Sequence, residues 1–460
     1  MGRPSDEKSL LPPLKTPTPA PTHQPLSTWE VTLHLLKGNI GAGALSLPYA
    51  FAKAGIYVAP VVYLFIVVIC IYNMNLLLYC KNKLRPERGM TFGDVGGELL
   101  GKHGKRAVNV FLVGTQLSFC CVFFTVVATN LHAILPAKLS HDFQERQLIL
   151  LIFPIILGLS WIRSLHKITP FSALATFAVL LGIAIVFYYS YAYASAAQTP
   201  PPLVTTFAWS RLPEFYGTAV YSFEGIGLIL PLEKDMHDRR LFRGVLLRTM
   251  AFILILFLFL GEVPVLAFGS IENGSMTAVL QRYFPGWSVT LANLLLAIAC
   301  LFSFPIQFYP ALEVLEKLLA RRGYLTPSIQ TFSDVAPPPR SRVCPTRCAP
   351  VEPPVPQWLE NMLSTSQYEV RRTLFRSMLV TCLMLVAICV PNVGLLISLF
   401  GSVGSSMLAV ILPPVFYLAL ERDRVCVASW ALHISIVAVG CVGMVAGTIQ
   451  ALDDIFATFQ

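Results

Sequence analysis

Long apolar runs, almost free of charge, divide this chain from end to end, and they leave few folds open to it. Most exceed the roughly 10 residues of a membrane β-strand and match the ~20 that an α-helix needs to cross hydrocarbon. Only 13% of the 460 residues are charged, against about 25% in an ordinary soluble domain. The expectation is an all-α membrane protein with many spans, which excludes a soluble enzyme.

The runs predict eleven spans, near 29–52, 58–80, 107–135, 147–162, 170–194, 214–233, 244–268, 287–316, 374–391, 393–420 and 426–452. Loops rich in Lys and Arg stay in the cytoplasm. With the N-terminus inside, 27 of the 34 basic residues fall in cytoplasmic segments and 5 in outer ones, Lys37 and Arg248 lying within spans. The single N-x-[ST] acceptor, Asn273, then falls in an outer loop, where it is a glycosylation candidate. The net charge of +9 has no folded aqueous domain to concentrate it, so no nucleic-acid partner is expected.

The membrane-spanning body covers 28–452, with 28–194 and 214–420 as candidate repeats and 426–452 as an eleventh helix. Residues 1–27 hold seven prolines and no apolar core of a signal peptide, and read as a disordered cytoplasmic tail. Within it, Asp6 followed by Leu10 and Leu11 is similar to an acidic dileucine sorting signal. The Pro-rich segment 320–370 reads as a cytoplasmic loop with a short amphipathic stretch from Trp358 to Leu363. Most of the cysteines lie in apolar runs, and Cys344 and Cys348 lack the spacing and partners of a zinc site, so no metal or cofactor is expected.

Chemistry concentrates in the first and sixth spans. Gly38, Gly41 and Gly43 fall within six residues in the middle of the first, each costing a helix about 1 kcal/mol relative to Ala. A helix broken there needs a buried or wet lining for its freed backbone. The N–H groups of Gly41, Ala42 and Gly43 would then offer partial positive charge to a carboxylate. Close helix packing through small residues is the alternative.

The sixth span repeats the pattern in Ser222-Phe223-Glu224-Gly225-Ile226-Gly227, with an acid at mid-membrane. Paired interruptions at corresponding positions mark the binding site of a secondary transporter. Glu30, His34 and Lys37 share one helix face leading into the first break. Histidine is the residue type suited to proton exchange at physiological pH, so His34 and the intramembrane acid Glu224 are the proton-coupling candidates, and Glu224 can also meet a substrate ammonium or Lys37. No nucleotide, metalloprotease or nucleophile-elbow motif is present, so no catalytic residue is assigned.

The string HLLKGNIGAGALSLP (His34 to Pro48) resembles the first span of the amino acid/auxin permease family, and FEGIGLILPLEKDM (Phe223 to Met236) resembles its sixth. The likeness is nearest to proton-coupled and vacuolar neutral amino acid transporters. It implies a leucine-transporter-type fold of two inverted five-span repeats, and symport of small neutral amino acids with protons through the bilayer. It also implies that Gly41 to Gly43 bind the carboxylate, that Ser222 to Glu224 meet the ammonium, and that His34 is the coupling histidine. An amino acid receptor without net flux, a sodium-coupled symporter and a uniporter are the alternatives. The membrane is expected to be vacuolar, lysosomal or plasma.

Overall fold

The computed structural model describes residues 25–85, 89–136, 139, 143–162, 169–196, 205–321, 324, 357–390, 392–422 and 426–459. Asp6, Leu10, Leu11, Cys344 and Cys348 lie outside them. Among the described residues the regular structure is helical, apart from one isolated parallel bridge between Leu26 and Met236.

The chain enters through α1 (Thr28–Asn39), which starts at a capping box: Glu30 N donates to Ser27 Oγ at 3.3 Å and Ser27 N donates to Glu30 Oε2 at 2.7 Å. Helical geometry stops at Ile40 and Gly41 and resumes in a 3₁₀ turn, Ala42–Ser46, that runs on into α2 (Leu47–Ala54). Gly55 turns the chain with φ 102°, a conformation that favours glycine, and a Cβ there would sit 2.6 Å from the Thr206 carbonyl.

The rest of the first half is α3 (Val58–Leu84), α4 (Phe92–Ile134), α5 (Glu145–Ser160) and α6 (Thr169–Ala196). The second half opens with α7 (Leu212–Ser222) and α8 (Ile226–Asp235), two pieces of one interrupted span. It continues through α9 (Phe242–Phe268), a short α10 (Met276–Tyr283), α11 (Trp287–Arg321) and α12 (Gln357–Cys389). Its last span is α13 (Val393–Phe400), a π-helical stretch Gly401–Ile411, and α14 (Leu412–Leu420); α15 (Val427–Ala457) follows.

Nine helical segments among the described residues are long and apolar enough to cross a membrane. The difference from the eleven expected spans is the broken segment 28–54 and the 16-residue α5. Ion pairs between distant elements gather at the two opposite ends of the spans. Lys81 with Glu233, Lys83 with Glu421, and Arg372 with Glu316 join elements at the face where α1 begins, here called the entry face. Lys53 with Glu214 and Arg211 with Asp454 do the same at the opposite, far face. Five spans per half is an odd number, so the second half is inverted relative to the first. The third span of each half is long, and α4 and α11 pack along one another.

Three boundaries differ from the sequence reading. The kink at Gly101, with φ 67°, lets α4 begin at Phe92 rather than 107. Lys81, counted above in a loop, lies in α3 and is fully buried. The ninth span, expected from 374, begins at Gln357, so the Trp358–Leu363 stretch is part of a helix continuous with it.

Candidate functional site

The two interruptions meet. A Cβ on Gly225, in the break between α7 and α8, would lie 2.5 Å from Asn39 Nδ2 at the end of α1. A Cβ on Gly43 would lie 3.1 Å from the Tyr221 ring. One on Gly38 would collide with Leu228. These glycines are present because backbone passes close to neighbouring side chains; their φ values are negative, unlike that of Gly55. Gly41 differs again, since a Cβ there would meet nothing within 4 Å and its backbone is extended at φ −121°. It faces open space.

That space is a cavity of about 410 Å³ lined from both breaks: His34, Lys37, Gly41 and Gly43 from the first, Tyr221, Ser222 and Glu224 from the second. It extends toward the entry face between α1, α8 and α11, past Leu228, Leu232, Ile306 and Gln307. Its remaining wall, including Phe119, Val122, Val179 and Ala299, is mostly apolar.

The two sides of the cavity carry complementary groups. On the first, the earliest bond of the resumed helix is Ala44 N to Gly41 O at 3.0 Å. The N–H groups preceding it open a helical run and have no intrahelical acceptor. On the second, the α-helical ladder gives way to longer i→i−3 bonds, Phe223 N to Val220 O at 3.3 Å and Glu224 N to Tyr221 O at 3.4 Å, and Glu224 is placed where the helix is interrupted. Its carboxylate accepts a hydrogen bond from Ser405 in the π-helical stretch, beside Thr115 of α4. Among the described residues no cation pairs with it, although His34 and Lys37 line the same cavity.

Ser222 is held from two directions, donating to Ala219 O at 2.9 Å and sharing a hydrogen bond with Tyr63 Oη at 3.1 Å. Behind the second break, Lys81 Nζ lies 2.9 and 2.8 Å from the two oxygens of Glu233, both side chains nearly fully buried, which anchors α8 to α3.

Several sequence expectations need revision. Phe223 is fully buried and absent from the cavity lining, so its side chain packs in the core and not toward a ligand. Glu30 belongs to the helix cap rather than to a titratable face shared with His34 and Lys37. Asn273 is half-buried, its Oδ1 accepting from Ser275 N at 2.9 Å, while the Ser275 hydroxyl donates to Asn130 at 3.2 Å. The sequon therefore takes part in the far-face packing. Asn39 and Ser405 escaped the sequence reading; the glycine- and serine-rich Gly401-Ser402-Val403-Gly404-Ser405-Ser406 was the signal for the second. Asn39 Oδ1 is buried without a hydrogen-bond partner among the described residues, an acceptor left at the junction of the two breaks.

Two broken spans closing on one mid-membrane cavity, inside inverted five-span halves, define a secondary transporter. The chain belongs to the family described as transmembrane amino acid transporter protein, which matches residues 24–452. It is thus an integral, multi-pass amino acid transporter and not an enzyme. It is 28% identical to amino acid transporter AVT3C of Arabidopsis thaliana, with 99% of each chain covered. Amino acid transporter ANT1 of the same plant is 26% identical, with 96% of each covered. The Drosophila melanogaster proton-coupled amino acid transporter-like protein pathetic is also 26% identical, over 95% of this chain and 87% of that one. In fold, the chain is similar to the nucleobase-cation-symport-1 family transporter Mhp1 in a closed conformation with bromovinylhydantoin bound. The TM-score is 0.52 at 12% identity, covering 95% of this chain and 94% of Mhp1.

Proposed function

We propose that this transporter carries small neutral amino acids in symport with protons. The observation that carries the reading is the pairing of unlike groups across one cavity: the N–H groups at Gly41 to Gly43, which open a helical run, and the Glu224 carboxylate at the opposite break. A zwitterion satisfies both. Its carboxylate meets the amides at the positive end of a helical run, and its ammonium meets Glu224 and the carbonyls around Ser222 and Phe223. The apolar wall then takes a neutral side chain.

A charge at membrane depth is expensive unless matched. Glu224 without a cation is stable when it holds a proton or an ammonium, and this ties proton and substrate to the same conformational cycle. His34, at the entry end of the cavity, relays protons between the site and water. With the N-terminus cytoplasmic, the entry face is the cytoplasmic one, as the basic-residue asymmetry supports. The motif at Asp6, Leu10 and Leu11 suits a lysosomal or vacuolar membrane, from which such a symporter exports solute to the cytosol.

The test is uptake of labelled alanine and proline into proteoliposomes in sodium-free buffer, with and without an imposed pH gradient. Accumulation only with the gradient is expected. Accumulation that requires sodium, or equilibration without accumulation under either gradient, contradicts proton symport.

A further inference from the structure

A second set of charges lies at the far face, away from the cavity. Lys53, at the end of α2, places Nζ 2.7 Å from Glu214 Oε1 in the first turn of α7, and 4.5 Å from the centroid of the Tyr49 ring. The other Glu214 oxygen is buried without a hydrogen bond among the described residues and lies 3.7 Å from Arg211 Nη1. That same nitrogen is 2.9 Å from both oxygens of Asp454 in α15. One continuous series of charges therefore links the far half of the first span, the far half of the sixth, and the eleventh helix. Glu214 is its buried centre at 5% side-chain exposure, against 41% for Arg211 and 18% for Asp454.

The eleventh helix belongs to neither repeat, yet it is fitted closely to the second. A Cβ on Gly443 would lie 2.5 Å from the Tyr216 ring of α7, and one on Gly447 would lie 2.8 Å from the Pro213 carbonyl. One on Gly440 would lie 2.7 Å from Ile411, at the end of the π-helical stretch. Backbone-close packing of this kind fixes where Asp454 stands relative to Arg211.

We propose that Asp454 is a positioning residue of the transport cycle: by holding Arg211 it leaves Glu214 to Lys53, and so keeps the far-face half-helices α2 and α7 shut against each other. This rests on the transporter reading above, since opening to the far face requires α2 and α7 to separate. Without the Asp454 charge, Arg211 competes with Lys53 for Glu214, and the closure between α2 and α7 weakens.

The experiment is hydrogen–deuterium exchange on the full-length protein in lipid, comparing wild type with Asp454→Asn, Lys53→Gln and Asp454→Glu. The first two variants are expected to exchange about tenfold faster in peptides covering 47–54 and 212–222, with the rest of α15 unchanged, because local opening tracks the loss of local ties. Asp454→Glu should restore wild-type exchange. Unchanged exchange at both segments in both variants overturns the proposal, as does a rise spread evenly along 427–457. The readout is independent of flux: absence of alanine uptake by the wild type contradicts the transporter reading and leaves the exchange result standing.

Discussion

The two helix breaks perform one task with opposite construction. The first is loosely held: Gly41 faces open space, and α1 carries no ion pair among the described residues. The second faces the same cavity but is tied by side chains, with Gly225 against Asn39, Ser222 bonded to Tyr63, Glu224 bonded to Ser405, and α8 pinned through Glu233 to Lys81. A break that presents amides needs only an unobstructed backbone. A break that holds a carboxylate in hydrocarbon needs hydrogen bonds, close packing and a fixed position, because a misplaced charge there is costly.

This contrast can be broken at either break. The largest effect on uptake is expected for Gly225→Leu, whose side chain cannot coexist with Asn39: uptake of labelled alanine should fall by more than about tenfold, since overpacking typically costs 1–3 kcal/mol. The largest effect on stability belongs to the anchor. Glu233→Ala leaves Lys81 buried and unpaired, and should destabilise the protein by about 3–5 kcal/mol in equilibrium unfolding in detergent. Replacing both partners by apolar residues of similar volume should recover much of that loss.

Glu224→Gln keeps the shape of the second break and removes its charge, so gradient-driven accumulation should be lost while expression and stability remain near wild type. His34→Ala acts at the mouth: uptake should lose its dependence on a pH gradient, and full pH-driven accumulation in that variant would remove His34 from the coupling role. The smallest structural effect belongs to Gly41→Ala, because its φ of −121° suits any residue and the new methyl meets nothing. Stability should stay within about 0.5 kcal/mol of wild type, while a higher KM for alanine would show that the amide side of the cavity is crowded by a single methyl.

The sequence disclosed the breaks because glycines clustered in an apolar run contradict a continuous helix, and it disclosed the repeat because the contradiction occurs twice at matching places. What it could not disclose depends on tertiary approach. Gly225 and Asn39 are far apart in the chain, and nothing local marks Asn39 as a neighbour. Lys81 and Glu233 are 152 positions apart, and a lysine at the edge of an apolar run reads as a loop charge until its partner is seen. The π-helical stretch lies inside the apolar run 393–420, which reads as one continuous span, so nothing local marks where the winding changes. Glu30 was misplaced for a different reason: helical spacing puts it on the face of His34 and Lys37, and the capping bond to Ser27 then removes it.

The central claim is that the cavity reads both ends of a zwitterion, carboxylate at the first break and ammonium at the second. It is tested most directly by competing labelled alanine uptake with alaninamide, which lacks the carboxylate, and with lactate, which lacks the ammonium. At a concentration where unlabelled alanine abolishes labelled uptake, both analogues should leave it essentially unchanged. Competition by either one as strong as by alanine would contradict the account, and would identify which of the two breaks does not touch the substrate.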